Sequence, residues 1–340
     1  MSKVTPPTAA PRPSLLRMLP GLLVTLVAVA ALLLFVDLGE VQAAFSRVEI
    51  LQSLPLVVLL FLGTVGARAM AWRTTLKEQA SFKDTFFVLN QGYLLNNVLP
   101  FRLGELGRAI LLGGRIGLSF WRVLPSIIVE RVFDLAFAAG LLLATLPSVI
   151  GADWAGSAGL VALALVAVGF AVLFLMATRP AWVLAAASRL TRRWPRLQSW
   201  LANLLSQVLE GLAPLRDLGR FARIAFWMML TWLFNVAWYY VLMLAFLPQA
   251  IWLWAFFSIA ASSLGVAVPS SPAYIGVLEA AMVLSLAPFG VDSATALAYA
   301  VTAHVIYFVM TGILGIIGFW QQGLSLGAIY NQLLSRSPAK

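Results

Sequence analysis

Arg102, Glu105 and Arg108 stand three residues apart, and Glu130, Arg131 and Asp134 follow in one apolar stretch. Residues three and four apart share a helix face, so each group presents alternating charge on one side. Glu130 and Asp134 are like charges on adjacent turns, and they call for a cation that Arg131, Arg102 or Arg108 can supply. Glu279 stands alone among apolar residues. Arginine grips phosphate through a planar two-pronged fork and stays charged when desolvated. These seven residues therefore read as a site for an anionic lipid headgroup. The plainer reading of the same residues is a salt-bridge network that tethers helices.

Other chemistries lack their residues. The chain has no cysteine, hence no disulfide, thiolate nucleophile or cysteine metal site. Its single histidine, His304, lies beside Tyr299 and Tyr307 and reads as a packed, hydrogen-bonded side chain rather than a proton carrier. One histidine cannot build a histidine metal cluster. Ser262, Ser263, Ser270 and Ser271 have no histidine or lysine nearby to activate them. Gly113-Gly114-Arg115-Ile116-Gly117 lacks both the spacing and the lysine of a nucleotide loop. No cofactor or metal is expected.

The charged groups flank two interruptions. The first runs through Asn97, Pro100 and Gly104 to Glu105, the second through Pro269, Pro272 and Gly276 to Glu279. Proline ends a helix and glycine lets backbones approach closely. Within lipid such breaks persist only when buried in protein or lining a watery cavity. Paired breaks in corresponding places of two halves point to a transport site.

Composition sets the surroundings of these breaks. The 340 residues are 61% hydrophobic and 11% charged, with a mean hydropathy of +0.93, far below the roughly 25% charge of soluble domains. The pattern predicts an all-α polytopic membrane protein with no soluble domain. Full spans are read at Met18–Val36, Leu54–Ala71, Val123–Ile150, Gly156–Ala177, Phe221–Leu247 and Ala294–Trp320, each near the roughly 20 residues that cross a bilayer. The two broken regions between them are read as re-entrant helical segments, one entering from each side, the alternative being that both are ordinary kinked spans. Three spans separate them, which makes the two halves an inverted repeat meeting near mid-membrane.

All but two of the 23 lysines and arginines fall on one side of this arrangement, the exceptions being Arg47 and the intraspan Arg131. Positive loops face the cytoplasm, so both termini are expected inside, in the inner (cytoplasmic) membrane. Residues 1–17 read as a disordered cytoplasmic terminus, 18–325 as one transmembrane domain and 326–340 as a cytoplasmic tail. Within that domain, residues 178–220 form an amphipathic connector in which Arg189, Arg192, Arg193 and Arg196 interleave with Trp182, Trp194 and Trp200. Such a segment rests on anionic lipid headgroups at the cytoplasmic face. The net charge of +10 is dispersed between apolar runs rather than gathered on one face, so no nucleic acid is expected. Gly312, Gly315 and Gly318 suit close helix packing, and Trp232, Trp238, Tyr239 and Tyr240 suit an interfacial aromatic belt.

Three motifs in order carry a family resemblance. They are Asn97-Val98-Leu99-Pro100 with Arg102-Leu103-Gly104-Glu105-Leu106-Gly107-Arg108, Glu130-Arg131-Val132-Phe133-Asp134, and Pro272-Ala273-Tyr274-Ile275-Gly276-Val277-Leu278-Glu279. The chain resembles the lysylphosphatidylglycerol synthase transmembrane family, the flippase-like module of the multiple peptide resistance factor. The resemblance implies movement of a polar-headgroup lipid between leaflets: a phospholipid, an aminoacyl-phospholipid, a polyprenyl-phosphate or a hopanoid. The chain ends at Lys340, without room for the aminoacyl-transferase domain, so lysyl-lipid synthesis is not expected. The alternatives are a membrane transferase acting on a polyprenyl-phosphate lipid and a non-catalytic partner of lipid-modifying enzymes. The transferase would use Glu105, Glu130 or Asp134 as metal ligand or base. Self-association, or pairing with a lipid-biosynthetic enzyme, fits either case.

Overall fold

The computed structural model describes residues 36–46, 50–99, 102–150, 153–266 and 272–322. The N-terminal segment 1–17, all of the expected first span before Val36, Pro100, Pro269 and the tail 326–340 lie outside the described residues. Among the described residues the chain forms twelve α-helices and no strand. They are α1 (Leu38–Ser46), α2 (Ile50–Thr75), α3 (Phe82–Val98), α4 (Leu103–Ile116), α5 (Phe120–Ile150) and α6 (Asp153–Thr178), then α7 (Pro180–Leu190), α8 (Pro195–Leu212), α9 (Leu218–Phe246), α10 (Trp252–Gly265), α11 (Val277–Leu286) and α12 (Ser293–Gln321). This is an all-α membrane protein. In hydrocarbon every backbone polar group must be satisfied within its own segment, and only a helix does that without a partner strand.

Polar caps mark where several of these helices begin. The Ser81 hydroxyl accepts from the Asp84 N–H at 3.0 Å and starts α3. Asp217 accepts from Gly219 and Arg220 and starts α9. Asp292 accepts from Thr295 at 2.8 Å and starts α12. Side-chain oxygens here replace the intrahelical partners that the first N–H groups lack.

Helices α2, α9 and α12 are each long and apolar enough to cross a membrane. The spans read at Val123–Ile150 and Gly156–Ala177 fall within α5, of 31 residues, and α6, of 26. The last part of α6 turns by 94° into α7. Helices α7 and α8 then expose Trp182, Trp194, Trp200 and Leu190 beside exposed Arg189, Arg192, Arg193 and Arg196.

Both interrupted regions double back. Helix α3 packs against α4, and α10 against α11. Each arm is shorter than a full crossing: α4 and α10 have 14 residues and α11 has 10. The first hairpin is tight because two glycines face each other. A Cβ on Gly104 would lie 2.0 Å from the Gly92 carbonyl oxygen, so no larger residue fits there. Asn96 adds a pin, its Oδ1 accepting from the Gly104 N–H at 2.8 Å.

Packing between the elements has a reciprocal order. Helix α2 lies along α9, and contacts such as Phe61 with Trp238 and Arg220 with Glu78 show the two to be antiparallel. The first hairpin's entry arm α3 packs on α12, and the second hairpin's entry arm α10 packs on α5. Return arm α4 packs on α5 as α11 does on α12. Exchanging α2–α5 for α9–α12 therefore reproduces these pairings, although α5 also packs on α9 more extensively than α12 does on α2. Along α12, Gly315 and Gly318 meet the α3 backbone at Asn90 and Phe87, whereas Gly312 has nothing within 4 Å.

One expectation about the aromatic residues fails. Trp232, Trp238 and Tyr239 are buried rather than arrayed at an interface. Trp232 is at the middle of the 29-residue α9, and Trp238 and Tyr239 lie about two turns before its end. Near-continuous apolar sequence hid which face of that helix turns inward.

Candidate functional site

The hairpin tips meet. Arg102, the residue before α4, donates to the Val266 carbonyl at 2.5 Å and lies over the Tyr274 ring at 5.2 Å. Val266 follows α10, and Tyr274 belongs to the Pro272–Tyr274 turn that precedes α11. Arg102, Ala273 and Tyr274 all hold left-handed backbone, with φ of 54°, 58° and 60°. That conformation costs a non-glycine residue on the order of 1–2 kcal/mol. Gly276 takes φ of 82° at no such cost. Strain gathered at two touching tips is the kind that a functional site retains.

A charged network spans the space beside the tips. Arg68 of α2 donates from Nη1 to Glu130 Oε1 (3.0 Å) and Asp134 Oδ2 (2.9 Å), and from Nη2 to Asp134 Oδ1 (2.7 Å). Arg108 forks onto both Glu130 oxygens at 3.1 and 2.9 Å, and its guanidinium lies 4.3 Å from the centre of the Trp72 ring. Arg131 reaches Asp134 at 2.9 Å and stands 2.9 Å from Glu105 without hydrogen-bond alignment. Trp232 donates from its indole nitrogen to Asp134 at 3.3 Å. Arg68, Arg102, Arg108 and Arg131 against Glu105, Glu130 and Asp134 leave one positive charge in excess.

The network borders a cavity of about 500 Å³. Arg68, Arg102, Glu105, Arg131 and Asp134 line one part of it, and Leu135, Ala138, Ile259 and Met282 line another. The Nε of Arg102 is buried and has no hydrogen-bond partner among the described residues, and that of Arg131 has only the misaligned Glu105 oxygen beside it. Unmet donors in a desolvated space are costly. An oxyanion placed there would satisfy them, while the apolar wall suits the first carbons of an acyl chain.

Sequence reasoning and structure differ at particular residues. The cation that separates Glu130 from Asp134 is Arg68, which the charge distribution along the sequence assigns to the cytoplasmic side. Helix α2 runs on to Thr75 and carries Arg68 inside, with its side chain only 12% exposed. The clue was that apolar sequence, Ala69-Met70-Ala71-Trp72, resumes after it. Glu279 is not alone, since His304 Nδ1 stands 2.5 Å from its Oε1. Nor does it join the arginine cluster. Asn97 donates to the Thr311 hydroxyl of α12 at 3.0 Å, tying the first hairpin to the last helix. Pro272 opens the turn before α11.

Glu105, Glu130 and Asp134 each stand within ion-pairing distance of a guanidinium, and among the described residues no group of three acidic or histidine side chains is placed to hold a metal. No curated protein matches the chain. The profile described as the lysylphosphatidylglycerol synthase TM region matches residues 18–315. With nearly its whole length covered, and with the charged motifs gathered around one cavity, the chain belongs to the lysylphosphatidylglycerol synthase TM region family.

Proposed function

We propose that this protein moves a lipid with an anionic, phosphate-bearing headgroup between leaflets of the inner membrane, and that it makes and breaks no covalent bond in doing so. The carrying observation is the contact of two hairpin tips at Arg102 beside a cavity with one excess positive charge. The headgroup sits against Arg102 and Arg131, and the acyl chains remain in the bilayer beside the apolar wall. Both termini face the cytoplasm, and the two hairpins enter from opposite sides as re-entrant segments. The interchangeable packing and the antiparallel α2–α9 pair support an inverted repeat of this kind, whose halves rock about a central site. Helices α7 and α8 lie on the cytoplasmic headgroup plane, which the 94° turn and the exposed tryptophan and arginine side chains favour.

Purified protein in liposomes containing a fluorescent phosphatidylglycerol analogue tests this through the accessibility of the dye to an impermeant quencher. The wild type is expected to exchange the analogue between leaflets. Arg102→Ala and Arg131→Ala each remove a charge-assisted contact worth about 1.5–3 kcal/mol, so exchange should slow by about tenfold or more. Elution as a monodisperse species separates loss of function from loss of fold. Absence of wild-type exchange, or equal rates in the variants, would refute the reading. Metal-dependent turnover of a lipid phosphate would favour the transferase.

A further inference from the structure

The two return arms carry their carboxylates at matching positions. Glu105 is the third residue of α4, counted from Leu103, and Glu279 the third of α11, counted from Val277. Each meets a basic side chain from the long helix that follows. That side chain is the twelfth residue both times: Arg131 counted from Phe120 in α5, and His304 counted from Ser293 in α12. Glu105 Oε1 lies 2.9 Å from Arg131 Nε, and Glu279 Oε1 lies 2.5 Å from His304 Nδ1. The exchange of packing partners thus carries one dyad onto the other. A permanently charged guanidinium in the first half is an imidazole in the second. Arginine does not release its proton in proteins, whereas histidine does so near neutral pH.

We propose that His304 and Glu279 form a proton-binding site coupled to the headgroup in the cavity. The proton site stands on the dyad itself, and only its coupling partner rests on the headgroup reading above. With the imidazole protonated, the dyad carries no net charge, like Arg131 with Glu105. With the imidazole neutral, a buried carboxylate keeps its negative charge, held by Nδ1–H and by the Gly276 N–H at 2.7 Å. His304 lines the same cavity as Arg102 and Arg131, so a negative dyad repels an anionic headgroup there and a neutral one does not. Headgroup binding therefore retains the proton, and by reciprocity the proton retains the headgroup.

The proton exchanges through Nε2, which has no hydrogen-bond partner among the described residues. Because Glu279 also holds the Gly276 N–H, the same dyad anchors the tip that Arg102 touches. The other ionisable groups around the cavity are the phenols of Tyr239, Tyr274, Tyr307 and Tyr93, and across it Arg68, Arg102 and Arg131 with the carboxylates Glu105 and Asp134 that pair with them. Glu40 of α1, which packs on α12, is exposed to the surroundings. Phenols stay neutral in this pH range.

His304 is the only histidine in the chain, so isotope-labelled histidine gives a single imidazole signal from the whole protein. The experiment follows that signal between about pH 5 and 8 in nanodiscs of phosphatidylcholine, with added short-chain phosphatidylglycerol or, as control, short-chain phosphatidylcholine. High salt screens the surface charge that the anionic lipid adds. We expect the imidazole to titrate in this window. Phosphatidylglycerol should raise its protonated-to-neutral ratio by about fivefold or more, and Glu279→Gln should abolish that rise. An imidazole that stays in one state throughout, or the same ratio with both lipids, overturns the proposal. The wild-type comparison suffices if the variant does not fold. An imidazole that responds in a protein that moves no lipid removes the transport reading and leaves the proton site standing.

Discussion

Replacing Glu130 with alanine is expected to destabilise the protein by about 3–5 kcal/mol, the largest effect of any single side chain in the charged network. The size follows from what remains. Arg108 is 1% exposed and has its fork on Glu130, so it would keep a full charge with no counter-charge. Stacking on Trp72 recovers only part of that, a cation–π contact being worth about 0.5–2 kcal/mol. Lipid offers no hydrophobic drive to hold α4, α5 and α2 together, so packing and polar contacts must do so. Thermal unfolding in detergent measures the loss. The double variant Glu130→Leu, Arg108→Leu should recover most of it, because removing both members of a buried pair is close to neutral. Equal melting of Glu130→Ala and wild type would mean that the pair is wet. A double variant no better than Glu130→Ala would mean that the cost lies in packing.

Gly104→Ala is expected to open the first hairpin. Its new Cβ would lie 2.0 Å from the Gly92 carbonyl oxygen and 2.6 Å from Asn96 Oδ1. Backbone cannot step aside as a flexible side chain can, so α3 and α4 must separate, at about 1–3 kcal/mol or more. Separation also moves Arg102 off the second tip, so lipid exchange should fall even where the protein still folds. Gly92→Ala is the milder companion. Its Cβ meets Arg108 Cγ at 2.2 Å, a side chain that can shift at the expense of its fork on Glu130. Gly114→Ala is the control within the same helix, since nothing lies within 4 Å of its Cβ and the site is exposed. There the substitution should be neutral or stabilise by up to about 1 kcal/mol. A melting curve for Gly104→Ala that overlays that of Gly114→Ala would contradict the close approach of the arms.

The site was legible in proportion to how local its signals were. Arg102, Glu105 and Arg108 declare themselves by three-residue spacing, and so do Glu130, Arg131 and Asp134. Arg68 does not, because it is a lone cation near the end of an apolar run, and a tally of loop charges absorbs it. Its two carboxylate partners lie 62 and 66 residues away, a distance no periodicity spans. His304 looked inert for a similar reason. Glu279 is 25 residues before it, and only the fold of α11 against α12 brings them within 2.5 Å. In α9 the trouble was uniformity. When every face is apolar, nothing in the residue order says that Trp232, Trp238 and Tyr239 point inward.

Composition and residue order by themselves determined that this chain is helical and lives in a membrane. They also located the two interruptions, since low charge, long apolar runs and proline with glycine act through the backbone of their own segment. Which charges meet was decided only by the tertiary structure. Doubling each broken segment back on itself joins Arg102 to the second tip, places Arg68 between two carboxylates, and gives His304 its glutamate. Those pairings depend on crossing positions of helices far apart in sequence, where desolvation makes each unpaired charge expensive enough to select one packing over others.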